Sequence, residues 1–342
     1  MSPPGVDLRR PGLVWPVRVD PDGQLGPTRA QARGRSWWSP HRGLFLPVGL
    51  DPALSVDQAI VSAAVLMPDG GAVTGWAALR WRGVRHLDGG RAGAALPVPL
   101  AVPAGVLTTR PGLVLARDAH LRAGAEELEG IVVSRPEAAV AFEVRHARNL
   151  TDAVAMIDRA AAADLVSLAE LEAFAAGLGG HRWITRLRAA IALADENCWS
   201  PMETVMRGHW RSIGLTDVVC NRPVFDLEGN HVGTPDLLHL PTGTVGEYDS
   251  ALHLAAAQRG KDVRREGAFR RLGMEYVEMV TADLADPRDF LRRTQDAVER
   301  SRALDRRWTI VPPRGRVETH TVELRRSLDD WQRDRFLRWQ AG

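Results

Sequence analysis

The sequence predicts an α/β (α+β) protein with two parts, each of which contains both helices and strands. Residues 136–195 carry apolar side chains three and four positions apart, which is the period of amphipathic helices. Residues 97–116 alternate apolar and small side chains between prolines, as strands do. Residues 221–253 join short apolar runs with Pro and Gly, which favours strands connected by tight turns.

Length and composition are those of a globular protein with room for two domains. The chain has 342 residues, and 44 basic against 42 acidic side chains leave a net charge of +2, which by itself does not indicate nucleic acid. The two cysteines, Cys198 and Cys220, lack metal-ligand spacing and suit reduced thiols. Because no signal peptide and no membrane-length apolar run is present, we expect a cytoplasmic protein without a membrane partner.

Changes in composition and period divide the chain into five predicted segments. Residues 1–27 are rich in Pro and Gly and are predicted to be a flexible N-terminus. Residues 28–135 are predicted to form an α+β domain that begins with a short helix and a wing-like strand. Residues 136–195 are a helical connecting segment, residues 196–300 form the second domain, and residues 301–342 form a tail with a docking helix.

Within residues 28–135, two further helices are predicted. One covers residues 55–66 and the other covers residues 72–81, where Trp76 and Leu79 provide the apolar face.

Carboxylates cluster around a predicted hairpin. Asp236 enters the apolar run 237–240, and Pro and Gly in 241–244 predict a tight turn after it. On the returning strand, Glu247 and Asp249 share a face because side chains alternate. A carboxylate in an apolar strand is costly unless it is paired or coordinated. Clustered oxygen ligands without soft ligands therefore predict a Mg²⁺ or Mn²⁺ site.

Glu203 has two interpretations. It stands three residues after Ser200 and follows Pro201, which is the pattern of a helix start closed by a capping box. Glu203 is therefore either a helix cap or a ligand on a helix beside the metal. Asp249 likewise is either a site residue or the cap of the next helix.

A helix predicted at 255–272 has more basic than acidic side chains. A solvated charged face is the ordinary interpretation of such a helix. Next to a carboxylate cluster, we expect it to contact the phosphates of DNA and to offset the negative charge of the site. The predicted DNA-binding residues are Arg259, Arg264, Arg265, Arg270 and Arg271.

The order of these motifs resembles a known nuclease family. Ser200 to Thr204, Asn221 with Val224, Pro235 to Leu237, Glu247 to Asp249, and Gly273 to Leu284 follow one another as in the PD-(D/E)xK endonuclease superfamily. The resemblance covers about 200–290 and is closest to the very-short-patch-repair-like branch. It implies a restriction-endonuclease-like mixed sheet flanked by helices, and a Mg²⁺-dependent DNA endonuclease of DNA repair or of defence against phage and plasmids.

The resemblance also implies the roles of individual residues. The metal ligands that it implies are Glu203, Asp236 and Glu247, and the catalytic residues are Asp236, Glu247 and Asp249, with Tyr248 and His253 beside them. Two departures matter: Asp249 stands where the family usually has its catalytic Lys, and Ser250 stands where this branch often has Gly. We expect Lys261 or a neighbouring Arg of the same helix to supply that positive charge, whereas an ordinary exposed lysine is the other interpretation.

Two alternatives to a nuclease stay open. The order of elements over 35–180 resembles the N-terminal part of AbiEi-like antitoxin regulators of type IV toxin–antitoxin systems, which implies a protein partner for the N-terminal domain. Together with Asp249 at the Lys position, this favours an inactive DNA-binding regulator or antitoxin as the first alternative. The second is an interaction module that uses the nuclease fold as a scaffold.

Overall fold

The computed structural model describes residues 8–84, 86–91, 94–180, 183–249 and 256–337, without the side chains of residue 91 and of 256–263. The chain divides into two compact units, Met1–His146 and Ala147–Gly342. Helices and mixed sheets occur together, which confirms the predicted α/β (α+β) class. In the part of the chain that the structure describes, no helix is both long and apolar enough to cross a membrane.

The first unit contains a mixed sheet of five short strands and two separate two-stranded sheets. The strands of this unit are β1 (Trp37–His41), β2 (Leu44–Pro47), β3 (Ala72–Val73), β4 (Gly90–Arg91), β5 (Ala94–Ala95), β6 (Val98–Ala101), β7 (Leu113–Ala116), β8 (Glu126–Leu128) and β9 (Ile131–Val133). Its helices are α1 (Ser55–Ala64), α2 (Gly75–Trp81) and α3 (Pro136–His146). The sheet order is β7-β6-β3-β9-β8, and Ile60, Leu79 and Leu100 are fully buried in this unit.

Three segments of this unit differ from the sequence prediction. Residues 8–27, predicted to be flexible, bury Leu13, and Val17 forms an antiparallel bridge with Phe45. The short helix predicted after residue 28 is a 3₁₀ turn at Gln31–Arg33, followed by the β1–β2 hairpin. The helix predicted over 72–81 is instead strand β3 followed by α2, because Gly75 adopts a φ of +54° that separates the two elements.

The second unit has helices on both faces of a mixed sheet. Its helices are α4 (Leu150–Ala162), α5 (Leu168–Ala176), α6 (Ile184–Ile191), α7 (Pro201–Ser212), α8 (Ala256–Arg271), α9 (Arg288–Ser301), α10 (Val322–Arg326) and α11 (Asp330–Phe336). Its strands are β10 (Val218–Cys220), β11 (Val224–Asp226), β12 (His231–Gly233), β13 (Leu237–His239), β14 (Thr244–Asp249), β15 (Glu275–Val280) and β16 (Trp308–Thr309).

The central sheet of this unit has the order β10-β13-β14-β15, and a smaller sheet has the order β12-β11-β16. Strands β13 and β14 form the predicted hairpin, which is confirmed by the pairing of Leu237 with Gly246. The turn needs a glycine, since Gly243 has φ +70° and donates its N–H to the carbonyl of His239. Strand β15 runs parallel to β14, and α8 lies in the connection between them.

Both faces of the central sheet are buried. Leu237 packs in a cluster with Trp210 of α7 and Phe290 of α9, whereas its neighbour Leu238 packs in a second cluster with Phe269 of α8. Successive side chains of a strand point to opposite faces, so a sheet covered on both sides carries a continuous apolar run. The sheet therefore holds the ends of β13 and β14 in a rigid frame, between α7 on one face and α8 on the other.

The close contact of α7 with β14 makes a stability prediction. A Cβ atom added at Gly246 would lie 2.7 Å from Cζ2 of the fully buried Trp210. We expect Gly246→Ala to lower the free energy of unfolding by about 1–3 kcal/mol through overpacking. Gly208→Ala is the matched control, because a Cβ atom added at this position in α7 would have no atom within 4 Å apart from the backbone of its own helix.

The control should raise the free energy of unfolding by about 0.5–1 kcal/mol, since alanine replaces glycine inside a helix. Chemical denaturation followed by tryptophan fluorescence measures both changes. Equal effects of the two substitutions would contradict the packing of Trp210 against Gly246.

Candidate metal and DNA-binding site

Glu203 is held at the start of α7. The Oγ of Ser200 accepts a hydrogen bond from the N–H of Glu203 at 3.2 Å, which confirms Ser200 as the cap. The predicted capping box is not closed, because the Glu203 side chain accepts from the N–H of Trp199 and not from that of Ser200. The Oε2 of Glu203 accepts hydrogen bonds from the N–H of Trp199 at 2.8 Å and from Nδ2 of Asn221 at 2.6 Å. The side chain is buried, with 5% of the residue exposed. One oxygen of Glu203 therefore has a structural role, and the carboxylate is kept away from bulk water.

Asn221 connects Glu203 to the strand that follows Asp236. Its φ of +47° is in the left-handed region, which asparagine adopts more easily than most residues. Its Nδ2 donates to the carbonyl of Asn197 at 2.8 Å as well as to Glu203. Its backbone N–H donates to the carbonyl of Asp236 at 3.1 Å. Through its side-chain amide and its backbone N–H, Asn221 thus joins the start of α7 to the end of β10 and the start of β13.

Asp236 and Glu247 lie at the open end of the hairpin. Because Leu237 pairs with Gly246, the next residues outward along the antiparallel strands are Asp236 and Glu247. The Oδ2 of Asp236 accepts the N–H of Tyr248 at 2.8 Å. Glu247 is buried, with 9% of the residue exposed. The hairpin therefore brings together the two carboxylates that the sequence predicts as the main ligands.

Arg265 lies in this site. The sequence predicts that it binds DNA phosphates, but its Nη2 donates to Oε1 of Glu247 and, at 2.9 Å, to the carbonyl of Thr234. Its Nε is buried without a hydrogen-bond partner in the described chain. The correction follows from the helix period, because Phe269 is one turn later on the same face of α8 and is fully buried.

Burial raises the pKa values of all three carboxyl groups, and the charge of Asp236 raises those of Glu203 and Glu247 further. Burial, with the charge of Asp236 added, raises the pKa of Glu203 to about 7. The same two causes raise the pKa of Glu247 to about 8, against the opposing charge of Arg265. Burial also raises the pKa of Asp236, although the N–H of Tyr248 and the charge of Arg265 oppose it. When all three groups are ionised, the site thus holds more negative charge than one guanidinium neutralises.

The donor atoms suit a hard divalent cation. Asp236 Oδ1 and Glu247 Oε2 accept no hydrogen bond from the residues that the structure describes, whereas the Glu203 carboxyl group also interacts with the side chain of Ser200. No three His, Cys, Asp or Glu side chains in that part of the chain are grouped closely enough to hold a metal ion. Mg²⁺ keeps several waters and is commonly held by one or two carboxylates. Asp236 and Glu247 therefore fit the ion as a pair, with Glu203 adding charge behind them.

Of the other predicted site residues, the structure describes Tyr248 and Asp249. Asp249 is exposed at the end of β14, and it has no bond to a side chain that the structure describes. Tyr248 donates its backbone N–H to Asp236, and its hydroxyl lies 3.3 Å from Oγ1 of Thr281. His253 lies outside the described residues, and Lys261 lies where side chains are not described.

The basic face of α8 is smaller than the sequence predicts. Arg264 and Arg271 are exposed, and neither forms an ion pair with the described side chains. Arg270 is exposed too, but it pairs with Glu266 at 2.9 Å and lies 3.7 Å from Glu275. The side chain of Arg259 is not among those described. Arg264 and Arg271 are therefore the predicted DNA-binding residues whose guanidinium groups face solvent.

Sequence reasoning missed the supporting residues of the site. Asn197 donates its Nδ2 to the carbonyls of Cys220 and Asn221, at 2.8 Å and 3.0 Å. Thr234 offers its carbonyl to Arg265. Asn221 stood in the motif order but had no role there. A signal existed for Asn221 alone, since asparagine beside a strand end is typical of left-handed backbone.

The raised pKa values predict how stability depends on pH. The ordinary glutamate pKa is 4.5, and the folded values are about 7 for Glu203 and about 8 for Glu247. The folded state keeps these protons to higher pH than the unfolded chain does, so stability falls as pH rises from about 4.5 to about 8. Asp236→Asn removes the shared repulsion and should flatten this fall, while its amide oxygen still accepts the N–H of Tyr248.

Thermal unfolding at about pH 5 and about pH 8, with and without Mg²⁺, measures the effect. At the higher pH we expect Asp236→Asn to melt about 3 °C or more above the wild type without metal, and Mg²⁺ to stabilise only the wild type. Asp305→Asn, at a side chain that is 91% exposed, is the control and should follow the wild type. A difference in melting temperature between the wild type and Asp236→Asn that does not grow between these pH values would show that the carboxylates are not coupled as described.

Comparison with models of known protein families found no match to this chain, and neither did comparison with curated proteins or with solved structures. The resemblances to PD-(D/E)xK nucleases and to AbiEi-like regulators therefore stay predictions from the sequence. The function proposed below therefore depends on the residues of the site.

Proposed function

We propose that the second unit is a DNA endonuclease that depends on Mg²⁺ or Mn²⁺ and hydrolyses phosphodiester bonds. The observation that carries this proposal is the buried pair Asp236 and Glu247 at the open end of the β13–β14 hairpin, with Glu203 behind it. When ionised, these three carboxyl groups carry more charge than the guanidinium of Arg265 neutralises, so a bound cation would relieve the repulsion between them. The motif order that resembles PD-(D/E)xK nucleases supports the same activity, in repair or in defence and with DNA in the cytoplasm.

Each residue of the site has a role in this proposal. Asp236 and Glu247 would hold the ion, which when bound lowers the pKa of a water molecule and shields the scissile phosphate. The N–H of Tyr248 orients Asp236, and Asn221 holds Glu203 in place. No side chain is needed as a nucleophile.

Arg265 provides the positive charge that the family usually takes from a lysine. It comes from α8, where the sequence predicts Lys261 or a neighbouring arginine for this purpose, and it already lies on Glu247. A cation at that place stabilises charge that develops on the phosphate, which is commonly worth about 3 kcal/mol for one well-aimed donor. Arg265 is therefore the candidate for this role among the side chains of α8 that the structure describes.

Plasmid cleavage tests the proposed activity. We expect the wild type to convert supercoiled DNA to nicked or linear forms with Mg²⁺ or Mn²⁺ and not with EDTA. Asp236→Asn should cut about a hundredfold more slowly or not at all, because it removes a ligand and leaves the hydrogen bond to Tyr248 in place. Asp305→Asn should cleave like the wild type, and both variants should melt as folded proteins.

A wild type that cuts no DNA with either metal would contradict the nuclease and favour a second function. That function is an inactive DNA-binding regulator or antitoxin whose first unit binds a protein partner. Two observations support it: Asp249 stands at the usual Lys position and is exposed, and Arg265 already neutralises Glu247.

Both functions need α8 to bind the DNA backbone. We expect Arg264→Glu and Arg271→Glu to weaken binding to every duplex sequence. Each substitution should also reduce the slope of log affinity against log salt by about 1, because one phosphate is no longer neutralised. Fluorescence anisotropy in EDTA with several unrelated duplexes measures this without cleavage. Arg302→Glu, at a side chain that is 65% exposed on the end of α9, is the control. Reduced affinity for one sequence alone would mean that α8 reads bases.

A further inference from the structure

A cleft of about 210 Å³ lies beside the carboxylate site in the second unit. Trp199, Asn221 and Thr234 line it, and each of them is bonded to a residue of the site. Trp199 and Asn221 donate to Glu203, and Thr234 accepts from Arg265. The opposite wall comes from β11, β12, residues 310–320 and α11. A molecule in this cleft would therefore lie next to the proposed point of cleavage.

The lining of the cleft is strongly basic. It contains Arg222, Arg316, Arg335, His231 and His320 against a single acidic side chain, Glu318. Glu318 lies 3.4 Å from Arg222, whereas Arg316 and Arg335 are exposed and have no carboxylate partner in the described chain.

The histidines of the cleft lie in the field of these arginines. Burial and then the charges of Arg316 and Arg265 lower the pKa of His231. Burial and then the charge of Arg222 lower the pKa of His320, whose Nδ1 lies 3.8 Å from Oε2 of Glu318. The surplus of positive charge on Arg316 and Arg335 is what an anionic ligand would satisfy.

Aromatic rings line the same cleft. Trp199, Phe225 and Phe336 contribute to its walls, together with Pro223 and Ile310. The guanidinium of Arg316 lies 5.3 Å from the centre of the Phe225 ring, and that of Arg335 lies 5.5 Å from the centre of Phe336. A site for phosphate alone needs cations and N–H donors but not aromatic walls. Aromatic and guanidinium groups side by side are typical of sites that stack a base and bind its phosphate.

We propose that this cleft binds one unpaired nucleotide of DNA next to the carboxylate site. Its base lies against Trp199 and Phe336, and its phosphate lies on Arg316 and Arg335. The choice of DNA as the ligand rests on the proposed function. The substrate class is then DNA that carries an unpaired nucleotide, as in an overhang, a flap, a bubble or a locally opened region of a supercoiled plasmid, because a base inside an intact duplex cannot enter a cleft.

Binding in EDTA tests this inference without any cleavage. The probes are fluorescein-labelled dT12, a twelve-residue abasic backbone, and a duplex of the same length, followed by fluorescence anisotropy. We expect the wild type and Asp236→Asn to bind dT12 at least about fivefold more tightly than the abasic strand, because stacking depends on the base. Phe336→Ala should remove that preference and leave affinity for the duplex nearly unchanged.

Charge variants of the cleft complete the test. Arg316→Ala and Arg335→Ala should each weaken dT12 binding by about fivefold or more, and Arg302→Ala on α9 should not. Equal affinity for dT12 and the abasic strand, or cleft variants that behave like Arg302→Ala, would overturn the inference. Displacement of dT12 by a poly-glutamate peptide at equal concentration would also overturn it, since an acidic protein segment would then be the better ligand.

The two proposals fail in different ways. If the wild type cuts no DNA but the cleft variants lose dT12 binding, the nuclease is wrong and the nucleotide site stands. If the wild type cuts plasmid but the cleft variants bind dT12 normally, the nucleotide site is wrong and the nuclease stands.

Discussion

Burial of three carboxylates beside one guanidinium is the constraint on which the second unit depends. Such burial is tolerated only when each charge is hydrogen-bonded or neutralised. Here the hydrogen bonds and the positive charge come from the N–H groups of Trp199 and Tyr248, the amide of Asn221 and the guanidinium of Arg265. These groups belong to the start of α7, to β14, to the end of β10 and to α8. The site therefore links these four elements through hydrogen bonds and one ion pair.

The local features of the fold could be predicted from the sequence, because they depend on neighbouring residues. The β13–β14 turn needed Pro241 and Gly243, and the start of α7 needed Ser200. The break before α2 could not be predicted in this way. Gly75 adopts φ +54°, and the next N–H is accepted by Glu143, which is 67 residues away in sequence. The apolar residues keep a helical period through Gly75, although the hydrogen bond to a carboxylate distant in sequence fixes a non-helical backbone there.

The site was predictable in its acidic residues and not in its basic ones. Carboxylates in apolar strands can be recognised because their burial is costly, whereas arginines spread around a helix do not show which of them faces the sheet. The position of Phe269 one turn after Arg265 was the available signal. The basic cleft had no such signal, since residues 310–320 lack a period and the walls come from segments more than 100 residues apart.

The backbone of Asn221 has a consequence for which substitutions the protein can accept. Glycine would adopt φ +47° easily but would leave Glu203 and the carbonyl of Asn197 without their donor. Aspartate would tolerate the same backbone but would add a fourth negative charge to a crowded site. Asparagine alone meets both demands, and neither demand concerns cleavage. A related chain without the carboxylate pair would still need asparagine at 221 for its backbone, so asparagine at this position indicates the fold and not an activity.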